Sequence, residues 1–116
     1  MKTGLEAEKK YPYKAKEGKC IPPKGATIKI ASYSEVAGEK GILEALKTSP
    51  VTIALNASTM QMYKNGILMA DKKKCNPKEL GHAVAIVGHG YDASKKVGYW
   101  IVQNSWGKSW GESPQA

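Results

Sequence analysis

The chain has 116 residues, 41% of them hydrophobic, and a formal net charge of +8. This length allows one domain at most, and no apolar run approaches the roughly 20 residues of a membrane-spanning helix. All of the positive charge comes from lysine, because the sequence contains no arginine. Bidentate recognition of phosphate or guanine depends on arginine, and no recognition motif accompanies the lysines, so a nucleic acid is not predicted as a partner. A membrane is not predicted either, because the chain has no apolar run long enough to span one.

The beginning of the chain is predicted to be extended. Residues 1–19 are polar and rich in lysine, and the Tyr-Pro-Tyr sequence at 11–13 favours an extended backbone over a helix. Residues 21–25 contain two prolines and a glycine and predict a turn. Residues 27–33 alternate apolar and polar side chains, which predicts a half-buried strand.

The middle of the chain predicts a helix and further short strands. Apolar side chains recur at helical spacing between residues 39 and 47, which predicts a short amphipathic helix. Strands are predicted at 51–57 and 67–69, with a single helical turn at 58–64 between them and a loop at 70–80. The pattern as a whole predicts an α+β fold that is rich in β-structure and has one short helix.

The last third of the chain predicts a long β-hairpin, with a polar turn between two apolar runs. His82 opens the first run and Asn104 closes the second. Because the ends of antiparallel strands lie side by side, these two side chains are expected to meet. An amide oxygen on one ring nitrogen fixes the tautomer of an imidazole and aims the other nitrogen outward, which suits the partner of a thiolate. Trp106 is expected to cover this hydrogen bond.

The residues around this pair resemble the histidine and asparagine motifs of papain-like cysteine proteases. The motif residues are Gly81-His82-Ala83-Val84, Tyr99-Trp100-Ile101-Val102-Gln103-Asn104-Ser105-Trp106-Gly107 and Trp110-Gly111-Glu112. The likeness continues upstream, in the family's order. It includes Tyr11-Pro12-Tyr13, Ser49-Pro50-Val51 and Gln61-Met62-Tyr63. Only residues 113–116 leave the pattern.

The resemblance implies the right-hand, antiparallel β-barrel-like half of the papain-like fold. Residues 1–20 would be an interdomain extended segment, and 21–116 a truncated right-hand β domain. In the family, the preceding helical domain carries the cysteine nucleophile and the oxyanion-hole donors, and we expect that half to be absent here. Met1 falls where the family has an interior position, so we expect the chain to be a piece of a longer protein or the product of a truncated reading frame.

Roles for the site residues follow from the same resemblance. His82 would hold the thiolate as an ion pair and then protonate the leaving amine, and Asn104 would orient it. Trp106 and Trp110 would form the leaving-group side of the cleft. The substrate would be a peptide or protein, and the partner would be a nucleophile-bearing N-terminal domain or chain. No cofactor is implied.

Three residues are implied to bind substrate. Gly81 would offer its backbone carbonyl. Ala83 and Ala54 would line the pocket for the second substrate residue on the acyl side, and their small side chains imply an open apolar pocket with a preference for a bulky hydrophobic residue.

The cysteines are assigned no catalytic role, because neither Cys20 nor Cys75 lies in the family's nucleophile motif. In the family the cysteines at these places pair with partners outside this region, so two free thiols are expected. A metal at His82 and His89 is not expected, because an odd spacing of seven would put them on opposite strand faces. The parent family is lysosomal or secreted, but residues 1–10 show no signal peptide, so localisation stays open.

Three functions remain open from the sequence. In the first, the chain is the histidine–asparagine half of a papain-like endopeptidase and is inactive without its nucleophile. In the second, it is a non-catalytic papain-like binding or structural module. In the third, it is a basic adaptor for an acidic partner. We also expect exposed sheet edges and apolar surface to make the isolated chain self-associate or stay loose.

Overall fold

A computed structural model describes residues 4–25 and 28–112. These residues form a short helix and a three-stranded antiparallel sheet in the order β1-β2-β3. The elements are α1 (Gly38–Leu46), β1 (Val51–Leu55), β2 (His82–Asp92) and β3 (Val97–Gln103). The predicted β-rich α+β class with one short helix is confirmed. In the part of the chain that the structure describes, no helix is long and apolar enough to cross a membrane.

The chain divides into two compact units, Met1–Glu35 and Val36–Ala116. In the first unit the amide of Leu5 donates to the carbonyl of Ile28 over 2.8 Å, which makes an isolated antiparallel bridge. The predicted strand at 27–33 is wrong from residue 28 onward, and Thr27 lies outside the described residues. Ile28 and Ile30 are 68% and 41% exposed, so the alternation has no apolar surface to pack on. The division at residue 20 stays a prediction.

The predicted helix is confirmed one residue earlier than its expected start. Glu39 lies in its first turn, where a carboxylate is favoured by the positive end of the helix dipole. Ile42 and Leu46 are half-buried and one turn apart, and α1 packs on β1 and β2. The hydroxyl of Thr48 donates to a carbonyl of the last turn, and the helix ends there.

The sheet packs one face and exposes the other. On the face that carries His82, Val84 and Ile86, here called the His82 face, Val84 is 6% and Ile86 is 2% exposed. The other face, here called the Ala83 face, carries the exposed Ala83 and the half-buried Ala85. Since Val84 and Ile86 are the buried hydrophobic residues among those described, the core is small for a chain of this length.

The predicted hairpin is confirmed, with longer strands and a shorter turn than expected. The turn is closed by Asp92, whose carboxylate accepts from the amides of Ser94 and Lys95 and from the Ser94 hydroxyl. The Ser94 hydroxyl contributes most to lowering the pKa of Asp92, because these bonds favour the charged form. Further along the hairpin the Tyr99 ring lies on Gly90, where any side chain would overlap it.

A β-bulge between Ile86 and Gly88 corrects one sequence argument. Ile86 pairs with Val102 and His89 pairs with Trp100, so the extra residue puts His89 on the His82 face rather than the opposite one. The two histidines are still seven residues apart along one strand, a separation of about 20 Å. His89 lies edge-on to Trp100 instead, with ring centroids 6.4 Å apart.

Two short predictions between β1 and β2 are also wrong. Residues 67–69 form no strand, because no neighbouring strand pairs with them, and they line a cavity of about 850 Å³. In the segment 58–64, residues 58–62 form successive turns instead of a helical turn, with the amides of Met60 and Tyr63 donating three residues back. β1 ends at Leu55, two residues early, because the Asn56 side chain accepts from the Ser58 amide and turns the chain.

Candidate active site

The register of the sheet brings the predicted histidine and asparagine together. Ala85 pairs with Gln103 at the last step of the ladder, and the same register continued by one residue would place Asn104 opposite Val84. His82 is two residues from Val84 on the same face, which makes His82 and Asn104 diagonal neighbours within side-chain reach. Their side chains meet across 2.8 Å, from Nε2 of the imidazole to Oδ1 of the carboxamide.

The protonation pattern of this pair follows from a second hydrogen bond. The Ser105 amide donates to the same Oδ1 over 2.7 Å, so the Asn104 atom that faces His82 is an acceptor. Nε2 of His82 must then donate, and in the neutral ring the lone pair lies on Nδ1. The Asn104 Nδ2 atom is buried without a hydrogen-bond partner in the described part of the chain, so the carboxamide is fixed through its oxygen.

Trp106 lies over the imidazole, where the sequence predicted a cover. The two rings stack with centroids 4.9 Å apart and an interplanar angle of 28°. Both side chains are half-buried, so the hydrogen bond between His82 and Asn104 is partly withdrawn from water. A polar contact with less competition from water is stronger and holds the ring orientation better.

Of the residues assigned to substrate binding, Ala83 follows His82 directly in β2 and lies on the opposite face of the sheet. Ala83 pairs directly with Ala54 across β1 and β2, and both are exposed. Two methyl side chains therefore form a shallow apolar floor on the Ala83 face. Gly81 is exposed and comes immediately before β2 begins.

Trp110 is connected to the site through Trp106 and leads to residues that the sequence did not single out. The Trp106 and Trp110 rings meet edge to face at 5.2 Å, and the Tyr63 ring lies 5.4 Å from Trp110. The indole nitrogen of Trp110 donates to the Met60 carbonyl over 2.9 Å. Tyr63 was visible as part of a turn motif, but only the fold shows that it reaches the tryptophans.

The described residues contain no cluster of three or more histidine, cysteine, aspartate or glutamate side chains arranged to hold a metal ion. Cys20 is exposed and Cys75 is half-buried, and both thiols are free. Cys75 lies in a loop where its amide donates to the Asp71 carbonyl. Within residues 36–112, no hydrogen bond joins the Cys75 thiol to His82.

Nearly all of the chain is similar to one family of proteases. The family model described as papain family cysteine protease matches residues 1–114. The procathepsin L of Rattus norvegicus is 38% identical over 115 residues, which cover 93% of this chain and 34% of that protein. A cysteine proteinase of Theileria parva is 38% identical over 97% of this chain and 25% of its own length. The chain therefore spans a quarter to a third of these relatives.

Solved structures agree with the sequence matches. The bromelain protease of Ananas comosus, in complex with the E64 inhibitor, superposes with a TM-score of 0.70 and 35% identity over 97% of this chain and 52% of that one. The digestive procathepsin L 3 of Tenebrio molitor larval midgut superposes with a TM-score of 0.74 and 32% identity over 97% of this chain and 37% of that one.

Proposed function

The chain belongs to the papain family of cysteine proteases, and from this premise we propose that it supplies the histidine and the asparagine of a cysteine-peptidase catalytic centre. The observation that carries the proposal is the 2.8 Å contact between Nε2 of His82 and Oδ1 of Asn104 beneath the Trp106 ring. This arrangement leaves Nδ1 as the ring atom that faces a reacting group.

The proposed chemistry uses Nδ1 of His82 twice. It first takes the proton of a thiol, which leaves a thiolate beside an imidazolium, and it later gives a proton to the leaving amine. Nε2 donates to Asn104 in both the neutral and the charged ring, so the imidazole keeps its orientation through the cycle. Trp106 limits the access of water to the bond that sets this orientation.

The thiolate in this proposal comes from a nucleophile-bearing N-terminal domain or chain. The half-buried thiol of Cys75 makes no hydrogen bond to His82 among residues 36–112, and neither Cys20 nor Cys75 lies in the family's nucleophile motif. Members of such a catalytic group act as a unit, so the loss of the nucleophile removes nearly all covalent catalysis. We therefore expect the 116-residue polypeptide by itself to have no peptidase activity.

The proposed substrate is a peptide or protein with a bulky hydrophobic residue at the second position on the acyl side. Ala54 and Ala83 are paired and exposed, and their methyl groups leave room above the sheet for a large side chain. Gly81, just before β2, would accept a substrate hydrogen bond on its carbonyl. Trp106 and Trp110 would contact the leaving-group side.

A chimera tests the proposal directly. The region of Ananas comosus bromelain that matches this chain is replaced by this chain, so that the donor supplies the cysteine. We expect the chimera to hydrolyse a peptidyl fluorogenic substrate and to be blocked by a thiol alkylator, whereas the 116-residue chain alone is inert. His82→Ala should abolish turnover.

His89→Ala is the matched control, because His89 lies on the same strand and the same sheet face but outside the proposed site. It should retain the activity of the parent chimera. Equal activity of the two histidine variants would overturn the assignment of His82. A folded chimera without any turnover would favour the non-catalytic binding module, and thiol-sensitive turnover by the chain alone would overturn the proposed need for an external nucleophile.

A further inference from the structure

The indoles at the candidate site lie in a segment with little backbone structure of its own. From residue 104 to residue 112 the chain leaves β3 and forms only bends and turns. Gly107 and Gly111 take φ angles of 85° and 83°, in the left-handed region that favours glycine. The Trp110 amide makes a long contact of 3.4 Å with the Gly107 carbonyl. Side-chain contacts must therefore fix where the Trp106 and Trp110 rings lie.

Those contacts come from the turn at residues 60–66. The Met60 carbonyl accepts from the Trp110 indole nitrogen at 2.9 Å, and the Tyr63 ring lies against the Trp110 ring at 5.4 Å. An aromatic pair at this separation adds stabilisation beyond the area that it buries. The turn is about 50 residues away in sequence, so it ties the tryptophan segment to a separate part of the domain.

The turn is itself held by two side chains that meet at Gly66. The Tyr63 hydroxyl donates to the Gly66 carbonyl over 2.7 Å, and the Glu112 carboxylate accepts from the Gly66 amide. Gly66 has a φ of 79°, so its turn depends on glycine. Both backbone groups of one residue are thus satisfied by side chains, and Glu112 belongs to the same segment as Trp110.

The electrostatics agree with this closed arrangement. Burial raises the pKa of the Tyr63 hydroxyl first, and the nearby negative charge of Glu112 raises it further. The raised pKa keeps the hydroxyl protonated to higher pH, in agreement with its role as the donor to the Gly66 carbonyl.

A continuous series of ring contacts joins this turn to the imidazole. Tyr63 contacts Trp110, Trp110 meets Trp106 edge to face, and Trp106 stacks on His82. We propose that Tyr63 is a positioning residue for the His82 imidazole, acting through Trp110 and Trp106 and held in place by Glu112. The inference rests on the proposed function, because the imidazole that Tyr63 positions is the one proposed to be catalytic.

The test measures how fast the His82 imidazole is chemically modified in the 116-residue chain, where Trp106 stacks on it. It does not need catalysis. Diethyl pyrocarbonate modifies the free nitrogen of an imidazole, and peptide mass spectrometry gives separate rates for His82 and for the exposed His89. Tyr63→Leu should raise the rate of His82 relative to His89 about threefold, the effect of losing one aromatic pair. Tyr63→Phe keeps the ring and should give a smaller rise.

Leu46→Ala is the matched control, because it removes a half-buried side chain of α1 outside the aromatic series. Rates are compared at denaturant concentrations that give both variants the same folded fraction. An unchanged rate ratio in Tyr63→Leu, or a rise equal to that of Leu46→Ala, would overturn the inference.

Should Tyr63→Leu fail to fold, Glu112 decides the question, because it is exposed and holds the same turn. Glu112→Ala should raise the His82 rate ratio and Glu112→Gln, which keeps an acceptor oxygen, should restore it. Equal ratios in the two variants would contradict the inference. A changed ratio together with an inactive chimera would support the positioning role and count against the proposed function, so the two can fail separately.

Discussion

Replacing Asn104 with alanine in the bromelain chimera is the sharpest perturbation of the candidate site. It removes the 2.8 Å bond to Nε2 of His82 and leaves the Ser105 amide without its acceptor. A hydrogen bond to a charged group contributes about 1.5–3 kcal/mol. At about 1.4 kcal/mol for each factor of ten in rate, kcat/KM should fall about 10- to 150-fold. Since the pair is only half-buried, we expect the lower part of that range.

The assay is hydrolysis of a fluorogenic peptide, with each rate normalised to the titrated reactive thiol so that unfolded protein does not count. Gln103→Ala is the control, because Gln103 is the preceding residue and lies on the Ala83 face. We expect it to match the parent chimera. A kcat/KM for Asn104→Ala equal to that of Gln103→Ala would refute the argument that this hydrogen bond orients the catalytic ring.

Three further outcomes follow from the structure. In the bromelain chimera, Ile86→Ala should lower the free energy of unfolding in urea by about 2–5 kcal/mol, whereas Val87→Ala, exposed in the bulge, should lower it little. Equal losses in the two variants would contradict the assignment of Ile86 to the core. Ala83→Leu in the chimera should lower the ratio of kcat/KM for bulky over small second-position residues by about tenfold or more. An unchanged ratio would contradict the assignment of Ala83 to the pocket. The pKa of Asp92 is lowered in the folded chain, so its contribution to stability is present above its unfolded pKa and is lost as pH falls through the folded value. Asp92→Asn should therefore make the free energy of unfolding depend less steeply on pH in the acid range. An unaltered dependence would contradict this.

The hairpin and the contact between its two end residues were predictable because the pattern that defines them lies within one continuous segment of the sequence. Alternating apolar runs and a polar turn define β2 and β3, and antiparallel pairing then brings His82 to Asn104. The bulge near Val87 was not predictable, because nothing in the alternation marks where an extra residue enters the strand. It reversed the argument about His89 without affecting the pair at the end of the hairpin.

The two strands that were predicted but do not form show that an apolar pattern does not tell whether a neighbouring strand is there to pair with. Residues 67–69 are apolar enough for a strand, but a strand needs a neighbouring backbone, and these residues line a cavity instead. The alternating residues from Ile28 onward face solvent for the same reason. The role of Tyr63 was also hidden, because its contact with Trp110 spans two irregular segments that no periodicity connects.

The tautomer of His82 decides whether Asn104 holds the ring with Nδ1 free, and nitrogen NMR of the histidine-labelled chain reads it at a pH where the ring is neutral. We expect Nε2 to carry the proton, as the donor to Asn104, and Nδ1 to have the shift of an unprotonated nitrogen. A proton on Nδ1 in the folded chain would contradict this, because the ring atom meant to face the thiol would then lack its lone pair.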